Sequence, residues 1–434
     1  MSIVSTGRFR RTPGGAGRPE EGAASGAFGD GGRRPCVLVL NQYYWPGLEA
    51  TAHLLDDLCL ALADDFDVRV VTGMLREPKT EAGRSRRDGV EVLRVRSAAF
   101  DRRRLALRGA NYLSYVVQAL RAGLTEPRPD VVLTMTDPPF IADVGLAIAR
   151  RFGAPLVVVS QDVFPEIAVE LKRLENPLVV GALRLVVRYY LKRADRIVAI
   201  GETMRRRLEA KGAHPQRVRV ISNWVDTDVL TPQPRDNEWA RSHKLTKRFV
   251  VMHSGNVGHA QNLDALVRAA TFLRDLRELR VVIIGSGASK PELVALAHLL
   301  ETDSVHFMSY QSRELLSQSL SAAHVHVVGL ARGLAGYVVP SRLYGILAVG
   351  RPVIVAADDD SETAQVVREA ECGVVVPPGR PDRLAAAIRD AHDGKLDLEA
   401  MGRRGREWVV TEADRRVAVA RYRDLLLELA SSPK

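Results

Sequence analysis

The residues with the clearest potential for chemistry stand in "GYVVPSRLYGILAVGRP", residues 336–352, where a loop turns into a helix and then runs into a buried strand. Gly336 supplies backbone freedom, Pro340 fits the start of a helix, and Ser341 and Arg342 fall in the first helical turn. A cation there opposes the helix dipole, so Arg342 either turns into solvent or is held by an anion that the backbone N–H groups also contact. We favour the anion, because a guanidinium donates several coplanar hydrogen bonds to phosphate oxygens.

Two glycine-containing turns follow successive apolar segments earlier in the same part of the chain, "HSGNVGHAQNLD" and "GSG". Glycine lets a backbone approach an anion whose charge a helix N-terminus stabilises. Either turn alone could equally be a tight turn, but two on successive strands favour a nucleotide or phosphate site. The candidate residues are Gly255, Asn256, Gly258, Gln261, Gly285 and Gly287.

Two further motifs lie at predicted strand ends in the first part of the chain. "WPGLEAT" joins a strand to a helix through Gly47, Leu48 and Glu49, and "SQDVFPE" places Asp162 and Glu166 after another strand. Asp162 could orient a hydroxyl group or act as an acid or base, or it could simply cap the following turn.

The elements that position these motifs alternate between short apolar strands and helical patterns, which predicts an α/β fold with doubly wound parallel sheets. The first strand is "CVLVLN" after Pro35, and the periodicity fails between Asn223 and about Leu245. We therefore predict two Rossmann-like domains facing a central cleft, with ligands at the carboxyl ends of the strands. The predicted boundaries are a disordered Gly/Arg-rich tail at 1–34, domains at 35–230 and 231–406, and a final helix at 407–434 that packs back on the first domain.

Composition narrows the class of protein and its partners. The chain has 434 residues, of which 46% are hydrophobic and 26% charged, and a net charge of +10, a profile typical of a folded α/β protein that could meet phosphorylated ligands, nucleic acid or an anionic membrane. No DNA-binding module is visible, so nucleic acid is not an expected partner. The three cysteines are far apart in apolar surroundings and show no metal-ligand spacing, which favours a reducing cytoplasm. No segment is apolar for long enough to span a membrane, and residues 1–34 have no apolar core of a signal peptide.

Taken together, the motifs resemble glycosyltransferase family 4 of the GT-B fold, and within it the colanic-acid and O-antigen aminosugar transferases. The resemblance covers nearly all of residues 36–430 and is carried by "YYWPGLEAT", "SQDVFPE", "ISNWVDTDVL", "SGNVGHAQNLD", "VVIIGSG" and "VPSRLYGILAVGRPVI". It implies retaining, metal-independent transfer of a sugar, with a UDP-N-acetylaminosugar as the preferred donor and a GDP-sugar next, and without a cofactor. The acceptor it implies is a polyprenyl-diphosphate-linked or other glycan in cell-surface polysaccharide biosynthesis.

The resemblance also implies roles for residues. Arg342 would pair with the donor diphosphate and, with Asp162, make up the catalytic set. The donor would contact the turn residues named above together with Ser309, Tyr310, Gly336, Tyr337, Pro340 and Ser341. The acceptor would contact Gly47, Leu48, Glu49 and Glu166.

The chain departs from the family pattern at several of its usual charged positions. Two glutamates that many members carry correspond to Tyr337 and Gly345, and the usual Arg and Lys for the diphosphate correspond to Asn256 and Gln261. A histidine common near the sugar ring corresponds to Gln161. We interpret these changes as a variant shared by a subgroup with "VPS(K/R)xYG". In this subgroup donor binding would depend on Arg342 in place of the glutamates.

A basic and amphipathic stretch, residues 100–124, suggests peripheral contact with anionic lipid, although an ordinary packed helix with a basic end would show the same pattern. Two other functions stay open. One is a nucleotide-sugar 2-epimerase, for which no matching set of acids and histidine is found. The other is a catalytically silent partner subunit of the same fold, which the retained Arg342 and glycine turns disfavour.

Overall fold

The computed structural model describes residues 33–47, 49–100 and 105–431. The predicted tail at 1–34 lies almost wholly outside the described residues, as do Leu48 and residues 101–104 of the basic stretch. The remainder forms two parallel-sheet α/β halves, which confirms the predicted fold class.

The first half is built on an eight-stranded sheet with the order β3-β4-β2-β1-β5-β6-β7-β8. All neighbours are parallel except β3 and β4, which form an antiparallel hairpin at the edge. The order reverses at β1, which pairs with β2 on one side and β5 on the other. The strands are β1 (Cys36–Leu40), β2 (Asp67–Thr72), β3 (Gly83–Arg87), β4 (Val90–Arg94), β5 (Val131–Thr134), β6 (Leu156–Ser160), β7 (Arg196–Ala199) and β8 (Val218–Val220).

Helices cover both faces of this sheet, because alternate residues of each strand point to opposite sides. Leu38 and Leu40 pack on one face, while Val37 and Val39 pack on the other. The helices are α1 (Ala50–Leu62), α2 (Leu105–Thr125), α3 (Ile141–Phe152), α4 (Glu166–Glu170), α5 (Pro177–Leu191) and α6 (Glu202–Ala210). On the first face α3 contacts both α2 and α5, so these three helices lie side by side.

The second half is built on a six-stranded, fully parallel sheet with the order β11-β10-β9-β12-β13-β14, which reverses at β9. Its strands are β9 (Phe249–Ser254), β10 (Leu279–Ile284), β11 (Val305–Met308), β12 (Val325–Gly329), β13 (Val353–Ala356) and β14 (Gly373–Val376). Its helices are α7 (Glu238–Ser242), α8 (Asp264–Ala269), α9 (Lys290–Leu299), α10 (Leu316–Ser321), α11 (Arg342–Ala348), α12 (Glu362–Glu369) and α13 (Pro381–His392).

Within the described residues, the final helix predicted at 407–434 is in fact parts of two helices, α14 (Leu398–Glu412) and α15 (Arg415–Ser431). The break is fixed by Asp414, whose carboxylate accepts hydrogen bonds from the Arg416 backbone N–H at 2.8 Å and from the Thr227 side chain. Helix α14 packs on the second half and α15 on the first half, so the chain crosses between them at this break. The predicted domain boundaries at 230/231 and 406/407 stay predictions.

No helix in the described part of the chain is both long and apolar enough to cross a membrane.

Candidate functional site

The two halves meet through the connection between β12 and α11, which carries the motif "GYVVPSR". The Val163 N–H donates to the Tyr337 carbonyl oxygen at 2.9 Å, and Asp162 forms an isolated antiparallel bridge with Val338. Gly336 has φ +77°, and a Cβ there would lie 2.8 Å from Thr203 and from Arg207 of α6. Glycine is therefore required at this position by close packing between the halves, and not only by loop freedom.

Tyr337 was predicted to bind the donor, but the structure turns it toward the first half. The Arg207 guanidinium carbon lies 4.8 Å from the centre of the Tyr337 ring, and the Arg207 Nε–H donates to the Ala335 carbonyl at 3.2 Å. Tyr337 also packs against the core of the first half. Its side chain thus joins the two halves, and its contact with a donor stays a prediction.

Arg342 opens helix α11 and turns inward. Its Nη1 lies 2.9 Å from Nε2 of His253, and a Cβ on Gly255 would lie 3.5 Å from its Nε. Within the described residues, no carboxylate forms an ion pair with this guanidinium. Burial lowers the pKa of Arg342 to about 10, so the group still carries its charge at neutral pH.

Helix α11 has only seven residues, and its N-cap residue Ser341 makes no side-chain capping bond. The sequence analysis assigned part of the attraction for an anion to the helix dipole. Because the helix is so short, the guanidinium of Arg342 is the main attraction for an anion at this place.

His253 is a candidate site residue that the sequence reasoning missed. It is fully buried at the end of β9, and its Nδ1 lies 3.3 Å from the Val327 carbonyl oxygen. Nε2 also lies 3.3 Å from the Asn256 carbonyl oxygen, and because a guanidinium only donates, Nε2 accepts from Arg342 in the tautomer whose single ring proton sits on Nδ1. Burial, with the Arg342 charge second, lowers the pKa of His253 well below its ordinary value, so the ring stays neutral beside the cation. The signal in the sequence was a histidine near the end of a buried strand.

The two glycine turns of the second half pack directly on each other. Gly285 has φ +139°, and a Cβ there would lie 1.8 Å from the Gly255 carbonyl oxygen. A Cβ on Gly287 would lie 2.2 Å from the Val257 carbonyl oxygen. This backbone contact is sufficient to require both glycines, so they are not evidence for an anion by themselves. Gly255 differs, because a Cβ there would only come into ordinary contact with the Arg342 guanidinium, and its φ of +138° is what favours glycine.

Three neighbouring predicted residues have different positions in these turns. Asn256 is exposed at the tip of the first turn. Gln261 is buried, and its Oε1 accepts from the Gly258 N–H at 2.9 Å, so its carbonyl oxygen closes the turn. Of the three, Asn256 has the side chain most open to a ligand.

An exposed tyrosine and a lysine lie beside the ends of β10 and β11. Tyr310 is 56% exposed, and its hydroxyl lies 3.4 Å from the Ser286 carbonyl oxygen, above the second glycine turn. Ser309 is also exposed. The Lys290 ammonium donates to the carbonyl oxygens of Gly285 and Met308, at 2.7 Å each, and so holds the two strand ends together. Sequence reasoning did not single out Lys290.

A cavity of 430 Å³ opens at the carboxyl ends of β5 and β6 in the first half. Asp162 and Gln161 contribute to its wall, and most other wall residues are apolar. Asp162 is exposed, and Gln161 exchanges two amide hydrogen bonds with Asn223, at 3.0 and 3.1 Å. The predicted site residues of the first and second halves therefore approach each other at Asp162, beside Val338.

Of the other predicted acceptor residues, Gly47, Glu49 and Glu166 lie outside this wall, and Leu48 is not among the described residues. Glu166 pairs with Lys211 and Arg184. Burial acts to raise the pKa of Glu166, but the two cations outweigh it and the pKa is lowered. The Gly47 N–H donates to the Tyr44 carbonyl at 2.9 Å, and Glu49 is the N-cap residue of α1. Thr51, in the first turn of α1, is the residue of this region that reaches the cavity.

Among the described residues, no group of three or more His, Cys, Asp and Glu side chains is arranged to hold a metal ion.

Two family models match the chain in succession. Residues 50–224 match the glycosyl transferase 4-like domain, and residues 235–408 match the glycosyl transferases group 1 domain. The chain is 28% identical over 280 residues to the probable glycosyltransferase WbjE of Pseudomonas aeruginosa, a match covering 63% of this chain and 68% of WbjE. It is 29% identical over 205 residues to the putative colanic acid biosynthesis glycosyl transferase WcaI of Escherichia coli, covering 46% of this chain and only half (50%) of WcaI.

Solved structures show the same fold at low sequence identity. Sucrose-phosphate synthase from Thermosynechococcus elongatus superimposes with a TM-score of 0.76 at 17% identity and covers 92% of this chain and 100% of that one. HepE of Anabaena, solved with UDP, gives a TM-score of 0.69 at 15% identity and covers 91% of this chain and 100% of that one. With two facing sheets, two successive family domains and these relatives, the chain belongs to the GT-B glycosyltransferases of family 4.

Proposed function

We propose that the protein moves a sugar from a nucleotide-sugar donor to a glycan acceptor in cell-surface polysaccharide biosynthesis, with retention of anomeric configuration and without a required metal. The observation that carries the proposal is Arg342, a partly buried guanidinium that contacts His253 and forms no ion pair with a carboxylate among the described residues, at the strand ends of the second half. A nucleoside diphosphate leaving group is the anion expected there. The names of WbjE and WcaI, and the UDP and UDP-glucose bound to HepE, support the same class of reaction.

In this proposal Arg342 stabilises the negative charge that grows on the departing diphosphate, which lowers the barrier to breaking the sugar–phosphate bond. His253 keeps the guanidinium in place through its Nε2, and its neutral ring adds no competing positive charge. Gly255, Asn256 and the exposed Ser309 and Tyr310 surround the donor. Asp162 is placed in the first half, where it orients the acceptor hydroxyl group or takes up its proton.

The donor we propose is a UDP-N-acetylaminosugar, and the acceptor is polyprenyl-diphosphate-linked or another glycan. Peripheral contact with an anionic membrane at its cytoplasmic face belongs to the same proposal. Exposed apolar side chains within residues 100–124 support it, since Leu113 is 67% exposed on α2 and Phe100, Val117 and Leu124 are also exposed.

Thermal-shift measurements with a panel of UDP- and GDP-sugars test the proposal. A donor at about 100 times its Kd stabilises the folded chain by roughly 2.7 kcal/mol, which raises Tm measurably. We expect one nucleotide class to raise Tm in the wild type and in Arg332→Ala, a control arginine on the same connection before α11. Arg342→Ala should lose the shift while keeping the Tm of the free protein. If no nucleotide sugar stabilises the wild type, the proposal is wrong.

A further inference from the structure

A cavity of 570 Å³ lies at the amino ends of the strands in the second half, on the edge of the sheet opposite to Arg342. His324 directly precedes β12 and Pro352 directly precedes β13, and both contribute to its wall. Arg342, in contrast, contacts His253 near the carboxyl end of β9, which is parallel to β12. A volume of 570 Å³ falls within the usual range for small-molecule sites, so this cavity is a candidate ligand site separate from the proposed donor site.

Four arginines are concentrated in the wall of this cavity, Arg235, Arg351, Arg403 and Arg406. Among the described residues, only Arg403 of these forms an ion pair with a carboxylate, at 3.4 Å from Glu399. The other arginines donate to backbone carbonyl oxygens, which accept hydrogen bonds but do not neutralise a positive charge. Nearby aspartates partly offset the charge of Arg406, so the uncompensated charge belongs mainly to Arg235 and Arg351.

Arg235 and Arg351 are close enough for each charge to affect the surroundings of the other. Burial lowers the pKa of Arg351, and the charge of Arg235 lowers it further. Burial also lowers the pKa of His324 to about 4, and the charges of Arg235 and Arg351 are the next causes. Because like charges repel each other, an anion bound between the two guanidinium groups would stabilise this part of the fold.

Arg351 also has hydrogen-bond donors that the protein does not use. Its Nη2 donates to the Gln233 carbonyl oxygen at 3.1 Å, and its Nε is buried without a hydrogen-bond partner in the described part of the chain. A guanidinium group has several coplanar N–H donors, and a phosphate group accepts hydrogen bonds from two of them at once. Phosphate therefore matches both the charge and the donor geometry of this arginine.

The other wall residues indicate what kind of molecule carries the phosphate. Pro232, Pro352 and Leu398 form an apolar surface. Glu399 and Glu407 lie on α14 and are exposed, so their carboxylates can accept hydrogen bonds from hydroxyl groups. A sugar ring has both C–H groups that pack on apolar side chains and hydroxyl groups that donate to carboxylates. The wall is thus complementary to a phosphorylated sugar.

We propose that this cavity binds the phosphate monoester of a small hydroxylated molecule, such as a sugar phosphate, with the phosphate group between Arg235 and Arg351. The site would be an additional ligand site, since it lies at the opposite edge of the sheet from Arg342. Pro232 and Arg235 belong to the segment between β8 and α7, which joins the two halves. The ligand would therefore contact the connection between the halves. Binding at this site does not rest on the proposed function.

The test uses titration calorimetry of the full chain with glucose 6-phosphate, inorganic phosphate and glucose. Glucose 6-phosphate should bind at least about tenfold more tightly than inorganic phosphate, because its ring adds contacts with the wall. Glucose alone should show no measurable binding, because it lacks the group that accepts charge-assisted hydrogen bonds. No binding of glucose 6-phosphate, or equal affinity for it and inorganic phosphate, would overturn the inference.

Arg342 and Arg351 are a matched pair of half-buried arginines at the two ends of α11. Arg351→Gln should weaken binding of glucose 6-phosphate by at least about tenfold, the cost of losing hydrogen bonds to a charged group. Arg342→Gln should leave this affinity unchanged. If Arg342→Gln weakens binding as much as Arg351→Gln, the ligand occupies the proposed donor site and the inference is wrong.

Two neighbouring arginines on α14 separate the cavity from general attraction to a basic surface. Arg403 is in the cavity wall and its side chain is 62% exposed, whereas Arg404 donates to the Glu371 carbonyl oxygen. Arg403→Gln should weaken binding of glucose 6-phosphate about threefold, and Arg404→Gln should not change it. Equal effects of these two variants would refute the inference. Because Arg403 is exposed, this pair also decides the question if Arg351→Gln does not fold.

The thermal shift with nucleotide sugars separates this inference from the proposed function. Arg351→Gln should keep the donor-induced rise in Tm that Arg342→Ala loses. A wild type that binds a nucleotide sugar but not glucose 6-phosphate would refute this inference and leave the proposed function standing. The reverse result would refute the proposed function and support the site between Arg235 and Arg351.

Discussion

The carboxyl ends of the strands in the two halves lead to very different surroundings, although both sheets are doubly wound. In the second half, β9 ends at a buried histidine and an arginine without an ion-paired carboxylate among the described residues, beside glycine turns packed on each other. In the first half, β5 and β6 end at a largely apolar cavity. The same kind of sheet thus ends in two different crevices, one with an arginine beside a buried histidine and the other with a mostly apolar wall.

The two halves also contain different ionisable groups with shifted pKa values. The second half holds the buried His253 and His326 and the half-buried His324, whose pKa values are lowered, mainly by burial. The first half holds Asp143 at the start of α3, and burial raises its pKa to about 6. The histidines therefore make the second half lose stability in acid, whereas Asp143 makes a contribution of opposite sign in the first half.

The largest expected effect is on kcat/KM for the donor and concerns Arg342 in the second half. Arg342→Ala should lower kcat/KM for the donor by about 100- to 1000-fold, the cost typical of removing one preorganised donor to a developing anion. Arg342→Lys should recover only part of this loss, because an ammonium group lacks the planar fork of donors. Release of free nucleotide, measured at low donor concentration, checks both variants. Activity of Arg342→Ala within twofold of wild type would remove Arg342 from the proposed site.

The next effect concerns acid stability of the second half. The folded pKa of His326 is about 4, below its unfolded value of about 6.5, so its neutral form stabilises the fold above pH 6.5. That contribution is lost as pH falls from about 6.5 to 4 and amounts to about 3 kcal/mol for His326. Hydrogen exchange at pH 7 and 4.5, corrected for intrinsic rates, should show β9 and β12 losing protection before β1 and β5. His326→Gln should make this dependence shallower, and simultaneous loss in both sheets would contradict the comparison.

The smallest expected effect concerns Asp143 in the first half, where the pH dependence of stability has the opposite sign to that of His326. The folded pKa of Asp143 is above its unfolded value, so its contribution to stability is present at low pH and is lost as pH rises through about 6. One of its carboxylate oxygens is buried without a hydrogen-bond partner in the described part of the chain. Allowing for partial exposure, Asp143→Asn should raise the unfolding free energy by about 1 kcal/mol at pH 7 and by almost nothing below pH 4. A Tm gain that is equal at both pH values would show that the charge is not responsible.

The sequence predicted the parallel strands well, because strands covered on both faces are continuous apolar runs. It did not predict β3, "GRSRR", since an edge strand can carry charges on an exposed face. Asp88 and Gly89, with φ +43° and +91°, make the tight turn that pairs it with β4. The break between α14 and α15 was also missed, because it depends on Asp414 meeting Thr227, 187 positions away in sequence.

At the candidate site, the sequence by itself determined the fold class, the family and Arg342, because a cation at a helix start is a local anomaly that can be recognised in a few residues. Only the tertiary structure decided that His253 contacts Arg342 across 89 positions of sequence and that Glu166 is neutralised by Lys211. It also turned Tyr337 toward Arg207 and closed an apolar cavity from residues of several separate elements. Local sequence patterns reflect interactions between residues that are close along the chain. The contacts of His253, Glu166 and Tyr337 depend instead on how sheets and helices pack, which no short stretch of sequence specifies.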